Sequence, residues 1–264
     1  MPLLPIFRRK AELHTQPAVS LYLELLKGCL TRSLFLDRAL LGDLSTSEPA
    51  SLDMRYEGKD WPTEAETMVG VKRLDNLQQC ITEVLLNGTK GDLVEAGVWR
   101  GGASIFMRGV LKANGVEDRR VWLADSFAGL PAPDPLFYPQ DAGDIHHTLS
   151  PYLGVPLERV RANFERYGLL DSQVEFLEGW FKDTLPVAPI SQIAVLRLDG
   201  DMYESTTEAL TSLYDRVSKR GFVIIDDYGA LPNCRAAVHD FRNARNRQDP
   251  IHTIDWTGAF WQKS

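Results

Sequence analysis

From Gly91 onward the chain alternates short, apolar, β-branched runs with longer stretches whose apolar residues recur every three or four positions. That alternation predicts βαβ units, and with them a mostly parallel sheet carrying helices on both faces. Strands are expected near 92–96, 121–125, 174–178, 193–198 and 222–226. Helices are expected over "SIFMRGVLKANG", "PLERVRANFERYG", "STTEALTSLYDRVS" and "CRAAVHDFRNARN". The closing "IHTIDWTGAFWQK" reads as two short strands around Thr257-Gly258, which would add an antiparallel edge to the parallel sheet.

Ahead of this core, "AVSLYLELLKGCLTRSLFLD" and "RLDNLQQCITEVLLNG" read as helices, joined by the irregular "STSEPASLDMRYEGKDWPTEAE". That connector and "FAGLPAPDPLFYPQDAGDIHHTLSPYLG" are long and rich in Pro and Gly, as lids and binding loops are. Segments 42–66 and 127–153 are therefore expected to cover a cleft. The N-terminal helices are candidates for a homodimer face or for a cover on the sheet.

A formal charge of -7 over 264 residues disfavours a general nucleic-acid binder, because phosphate neutralisation needs clustered Lys and Arg. "RNARNR" is the densest basic run and reads as a solvated helix face. No apolar run approaches the roughly 20 residues of a membrane span. "MPLLPIFRRKAELHTQ" has its apolar residues before its basic cluster, unlike a secretory signal, so a cytoplasmic protein is expected. Cys29, Cys80 and Cys234 are odd in number and have no metal-like spacing, so they read as packing residues.

In an open α/β sheet the first strand-to-helix turn is where a nucleotide is held, and here that turn is "LVEAGVWRGGAS". A dinucleotide needs a glycine two residues after the first, so that backbone can approach the pyrophosphate. Trp99 stands there, and Glu95 precedes the turn. S-adenosylmethionine has no phosphates and carries a sulfonium and an ammonium, so it suits a glycine turn flanked by carboxylates. The next strand ends in Asp125, the acid placed to accept ribose hydroxyls. After the third strand, Glu178, Trp180 and Phe181 offer adenine a stacking face and a hydrogen-bonding group.

"IAVLRLDGDMYES" ends an apolar strand in Asp199 and Asp201, and "GFVIIDDYG" ends its neighbour in Asp226 and Asp227. Four carboxylates at one sheet edge repel unless a cation sits among them. An all-oxygen donor set favours Mg²⁺, with Ca²⁺ or Mn²⁺ as alternatives. Helix capping by Asp201 and Glu204 is the plainer account. However, Ser205 and Glu208 supply a capping box of their own, and a cap has no use for Asp199.

Taken together, "TMVGVKRLDNLQQC", "GDLVEAGVWRGGA", "VWLADSFAGLP", "FERYGLLDSQVEFLEGWFKDTLP", "AVLRLDGDMYEST" and "GFVIIDDY" resemble the macrocin O-methyltransferase (TylF-type) family over roughly residues 60 to 264. The resemblance implies a Rossmann-like class I methyltransferase fold with a seven-stranded, mostly parallel sheet. Residues 67–264 would form the S-adenosylmethionine-dependent domain, and 1–66 a helical extension and lid. It implies methylation of a deoxysugar hydroxyl on a glycosylated antibiotic, such as a macrolide or the aminocoumarin novobiocin, with S-adenosylmethionine and Mg²⁺. By this resemblance Asp199, Asp226 and Asp227 are the metal ligands. Thr67, Met68, Val69, Glu95, Gly97, Gly101, Ser104, Asp125, Ser126, Gly179, Trp180 and Phe181 form the cofactor crevice.

Asp201, one glycine beyond Asp199, is positioned to take the proton of the acceptor hydroxyl, and His146 and His147 are the rival bases. "YPQDAGDIHHTLSPYLG" matches no pattern of the family, and with it the acceptor stays open. Two other classes remain in contention: a nicotinamide-dependent sugar oxidoreductase and a non-catalytic sugar-binding protein.

Overall fold

The computed structural model describes residues 17–41 and 44–264. The leader reading of "MPLLPIFRRKAELHTQ" lies outside the described residues. In chain order the elements are α1 (Pro17–Leu30), β1 (Arg38–Leu40), β2 (Ser47–Pro49), α2 (Leu52–Glu57), β3 (Trp61–Pro62), α3 (Gly70–Leu86), β4 (Asp92–Ala96), α4 (Gly102–Ala113) and β5 (Val121–Asp125). They continue with α5 (Ser150–Leu153), α6 (Leu157–Arg166), β6 (Val174–Glu178), α7 (Phe181–Thr184), β7 (Ile193–Leu198), α8 (Tyr203–Leu213), β8 (Val217–Ile225), α9 (Pro232–Ala244), β9 (His252–Thr253) and β10 (Ala259–Gln262).

The main sheet runs β6-β5-β4-β7-β8-β10-β9. The pairs β4–β5, β5–β6, β4–β7 and β7–β8 are parallel, and β10 is antiparallel to both β8 and β9. This is the seven-stranded, mostly parallel sheet of the class I methyltransferase fold. Strand order reverses between β4 and β7, and that switch point opens a crevice at the carboxyl edge.

Two apolar layers sandwich the sheet. Leu93, Leu123, Val195, Phe222 and Ile224 pack against α1, α3, α4 and α6. Val94, Ala96, Leu196, Leu198, Val223 and Ile225 face the opposite layer with α8 and α9. Because side chains alternate along a strand, the register assigns faces to the polar residues as well. Glu95 pairs across the sheet with Arg197, and Arg197 with Ile224, so both charged residues share the face of Leu93 and Ile224. Asp199 and Asp226 follow in the same parity at the strand ends.

Three expected boundaries shift. The first helix stops at Leu30 rather than reaching Asp37, because Arg32 turns left-handed (φ 56°) and the Leu30 carbonyl accepts the Glu66 and Thr67 N–H groups. The connector 45–66 is ordered: it supplies α2 and the strands β2 and β3, which pair on either side of β1. Its strands are too short and Pro-containing for a sequence pattern. Tertiary partners hold the segment: Arg55, 1% exposed, binds Asp60 and Asp37 and donates to the Thr31 carbonyl. Finally, β8 starts at Val217, five residues before the expected 222, where "VSKRG" carries charge that faces solvent.

Gly97 fixes how the switch point closes. It is left-handed (φ +85°), and a Cβ there would lie 1.8 Å from the Asp199 carbonyl oxygen. We expect Gly97→Ala to destabilise the protein by at least about 3 kcal/mol, the upper range for single substitutions, because backbone conformation and contact both fail. Denaturant unfolding checks this; a loss below about 1 kcal/mol would show that the β4 and β7 ends can separate.

Candidate active site

A cavity of about 530 Å³ opens over the carboxyl ends of β4, β5, β7 and β8. One wall carries Thr67, Met68, Val69, Gly97, Asp125, Ser126, Trp180 and Phe181; Asp199, Asp201, Asp226, Asp227 and His146 line the other end. Of the expected cofactor set, Gly101, Ser104 and Gly179 stand behind the wall. Gly101 faces Val160 of α6, Ser104 is fully buried and donates to Glu95, and Gly179 packs beside Thr184. His146 is on the cavity wall and His147 is off it.

The turn after β4 is tied down by Asp125. One of its oxygens accepts from Val98 N–H and the other from Phe127 N–H, each at 2.7 Å. Burial raises its pKa against those backbone donors. Oδ1 also accepts, at 3.5 Å, from the Ser126 hydroxyl. The first N–H of α4, which a pyrophosphate would need, donates instead to the Glu66 carbonyl at 2.9 Å. Trp99 is locked by its own donation to the Tyr152 carbonyl at 3.1 Å.

The charged floor was only half legible in the sequence. Arg197, 2% exposed, donates to Glu95 at 2.6 Å, to Asp199 at 2.9 Å and to Asp226. Arg73 binds the second oxygen of Asp226 and lies 3.2 Å from Asp255. An arginine inside the buried run "IAVLRL" was the available signal for Arg197. Arg73, in α3 and far away in sequence, offered none.

Glu95, Asp199, Asp201, Asp226 and Asp227 thus face two guanidiniums and remain in excess. Burial, only partly offset by Arg197 and Ser104, pushes Glu95 up to about 7. Burial and then Asp199 push Asp201 up to about 7, against the pull of His146. Asp199 is raised by burial and Asp226, and Asp227 is raised well above its usual range by burial, Asp201 and Asp199.

The excess charge converges on one point. Carboxylate oxygens of Asp199, Asp226 and Asp227 lie within 4.8 Å of one another. Buried Asp227 Oδ2 has no hydrogen-bond partner. An all-oxygen donor set with an orphaned oxygen and uncompensated charge fits a hard divalent cation. Asp201 adopts a left-handed conformation (φ 60°), which Asp tolerates better than most residues and which turns it out of the strand line.

Helix α8 starts immediately after this turn, at Tyr203, and its N-cap residue Met202 makes no side-chain cap. The cap comes from the 127–153 loop. Fully buried Asp141 accepts from the Tyr203 and Glu204 N–H groups, both at 2.9 Å, and from Asn233 Nδ2 of α9 at 3.3 Å. The local boxes suggested by Asp201 with Glu204, or Ser205 with Glu208, are not used. The same loop brings in His146, whose Nδ1 is 2.9 Å from Asp144 Oδ2.

The profile of the TylF macrocin-O-methyltransferase family matches residues 19–263. A Streptomyces olivaceus relative, the 8-demethyl-8-(2,3-dimethoxy-alpha-L-rhamnosyl)-tetracenomycin-C 4'-O-methyltransferase, is 56% identical over 248 residues, covering 94% of each chain. The Streptomyces niveus demethyldecarbamoylnovobiocin O-methyltransferase is 49% identical over 246 residues, covering 93% of this chain and 94% of its own. The solved structure of the O-methyltransferase NovP superposes with a TM-score of 0.89 at 49% identity, over 93% of this chain and 99% of NovP. No helix among the described residues is long and apolar enough to cross a membrane.

Asp141→Ala should remove a cap worth about 1–2 kcal/mol. Limited proteolysis should then cut within 127–153 faster than in the wild type, with little change elsewhere; equal cleavage would show that the loop is held without Asp141. With the sheet order, the crevice at its switch point and the match over nearly the whole length, the chain belongs to the TylF macrocin-O-methyltransferase family of S-adenosylmethionine-dependent O-methyltransferases.

Proposed function

We propose that this protein transfers a methyl group from S-adenosylmethionine to a hydroxyl of a 6-deoxyhexose carried by a glycosylated antibiotic, with Mg²⁺ at the aspartate cluster. The observation that carries this reading is one continuous cavity joining the Asp125–Trp180 wall to Asp199, Asp201, Asp226 and Asp227. The greater identity to the tetracenomycin enzyme favours a rhamnosyl group of a tetracenomycin-like compound over the novobiocin acceptor.

In this reading Asp125 accepts the ribose hydroxyls in place of its long contact with the Ser126 hydroxyl, and half-exposed Trp180 offers adenine a stacking face. The excess negative charge beneath Gly97 suits a sulfonium and an ammonium. Asp199, Asp226 and Asp227 would hold the metal ion, which when bound supplies positive charge to stabilise a developing alkoxide. Arg73 and Arg197 hold Asp226 from both sides, so its carboxylate is oriented before any ion arrives. Asp201, beside the cluster but outside the ligand set, takes the proton of the acceptor hydroxyl as the acceptor oxygen attacks the methyl carbon, the S–C bond breaks and S-adenosylhomocysteine leaves.

His146, oriented by Asp144, supports a second reading in which the loop histidine is the base.

Purified protein incubated with S-adenosylmethionine, Mg²⁺ and a panel of rhamnosylated tetracenomycins, demethylated novobiocins and macrolide glycosides should add one methyl group to a member of the panel, read by mass spectrometry. No methylation of any glycoside would defeat the acceptor class. Asp199→Ala and Asp227→Ala should raise the Mg²⁺ concentration needed for half-maximal rate, with partial rescue by excess metal. Asp201→Asn should leave that requirement unchanged and lower turnover by about 10²- to 10⁴-fold, the range for lost general-base catalysis. Near-normal turnover in Asp201→Asn, with loss in His146→Asn, would transfer the role to the histidine.

A further inference from the structure

The cavity is also lined by residues of the adjoining helices α7 and α8, the α7–α8 groove, and by Leu130, Pro131 and Ala132. Glu204 and Glu208 line it from α8, and Lys182 lines it from α7. Glu204 and Glu208 are one helical turn apart on the same face, an arrangement that costs helix stability because the like charges repel. Glu208 accepts from the Lys182 backbone N–H, whereas Glu204 is 9% exposed and its Oε2 is buried with no hydrogen-bond partner among the described residues. The positive end of α8 does not claim that carboxylate, since Asp141 already caps its first two N–H groups.

The mixture of charges restricts the ligand. Two carboxylates disfavour a phosphate or carboxylate, and Lys182 disfavours an ammonium. A neutral hydroxyl both donates and accepts, so carboxylate and ammonium together satisfy it on both counts. Asp125 already provides for the ribose of the cofactor on the other wall.

We propose that the α7–α8 groove is a subsite for a neutral, polyhydroxylated portion of the acceptor, with Glu204 as its anchoring hydrogen-bond acceptor and Glu208 and Lys182 beside it. This rests on the glycoside reading above and adds to it the residues that would discriminate between acceptors. Glu204 and Glu208 take no part in metal binding or proton transfer in that reading. Their loss should therefore appear in acceptor affinity and leave the cofactor untouched.

The test is calorimetry on wild type, Glu204→Gln and Glu208→Gln, each saturated with S-adenosylhomocysteine and titrated with a rhamnosylated tetracenomycin and with demethyldecarbamoylnovobiocin. For whichever glycoside the wild type binds, Glu204→Gln should raise Kd by about 10- to 100-fold, the worth of a hydrogen bond to a charged group. Glu208→Gln, at a more open position, should raise it by a smaller factor, and gives an independent reading should Glu204→Gln fail to fold. The Kd for S-adenosylhomocysteine should stay within about two-fold in both variants. An unchanged glycoside Kd would overturn the subsite, as would weakened S-adenosylhomocysteine binding with the glycoside unaffected. Failure of the wild type to bind either glycoside while binding S-adenosylhomocysteine would overturn the acceptor class itself, and the subsite with it.

Discussion

The cross-strand contact between Arg197 and Glu95 sets the constraint around which the site is arranged. Burying an arginine costs several kcal/mol unless good partners surround it. Glu95, Asp199 and Asp226 are placed around Arg197 by strand register alone, because β4, β7 and β8 present the same face at the same height. Without the guanidinium, neighbouring carboxylates at the strand ends would repel and open the crevice. With it, Asp226 is fixed between two arginines, whereas Asp227 keeps a buried oxygen with no partner. The network therefore rigidifies one part of the cluster and leaves another with negative charge that no guanidinium matches.

The same economy appears at the turn after β7. Asp199, Gly200 and Asp201 lead into a helix that has no cap from its own sequence, and Asp141 supplies one from the 127–153 loop. Through Asn233 the same carboxyl reaches the start of α9, which follows the strand ending in Asp226 and Asp227. One buried side chain thus ties the covering loop to both acidic strand ends. A shift of that loop would move His146 and would uncap the helix that carries Glu204 and Glu208, so in the proposed reading it would reach proton transfer and acceptor binding together.

The N-terminal region serves the site from the opposite side. Its small sheet and α2 are anchored by buried Arg55, and they set Trp61 against Tyr152, which in turn holds Trp99. Gly109 allows α1 to approach α4, since a Cβ there would meet Leu26 at 2.4 Å. Aromatic and basic residues distant in sequence therefore fix the conformation of the turn that excludes a pyrophosphate.

The sequence by itself determined the strands of the core, the closing hairpin, the position of the crevice and the acidic strand ends. Those features are written in local patterns: period two in buried strands, period three to four in helices, glycines at a tight turn, carboxylates where an apolar run stops. Only the tertiary structure decided that Arg73 and Arg197 partly neutralise the cluster, that Asp141 caps α8, that Ser104 supports Glu95 from beneath, and that His146 rather than His147 lines the cavity. Each of these depends on residues brought together across tens of positions by sheet register or loop packing. A buried charge or an uncapped helix end accepts any partner of the right chemistry, so local pattern shows that a partner is required, and the fold selects which one.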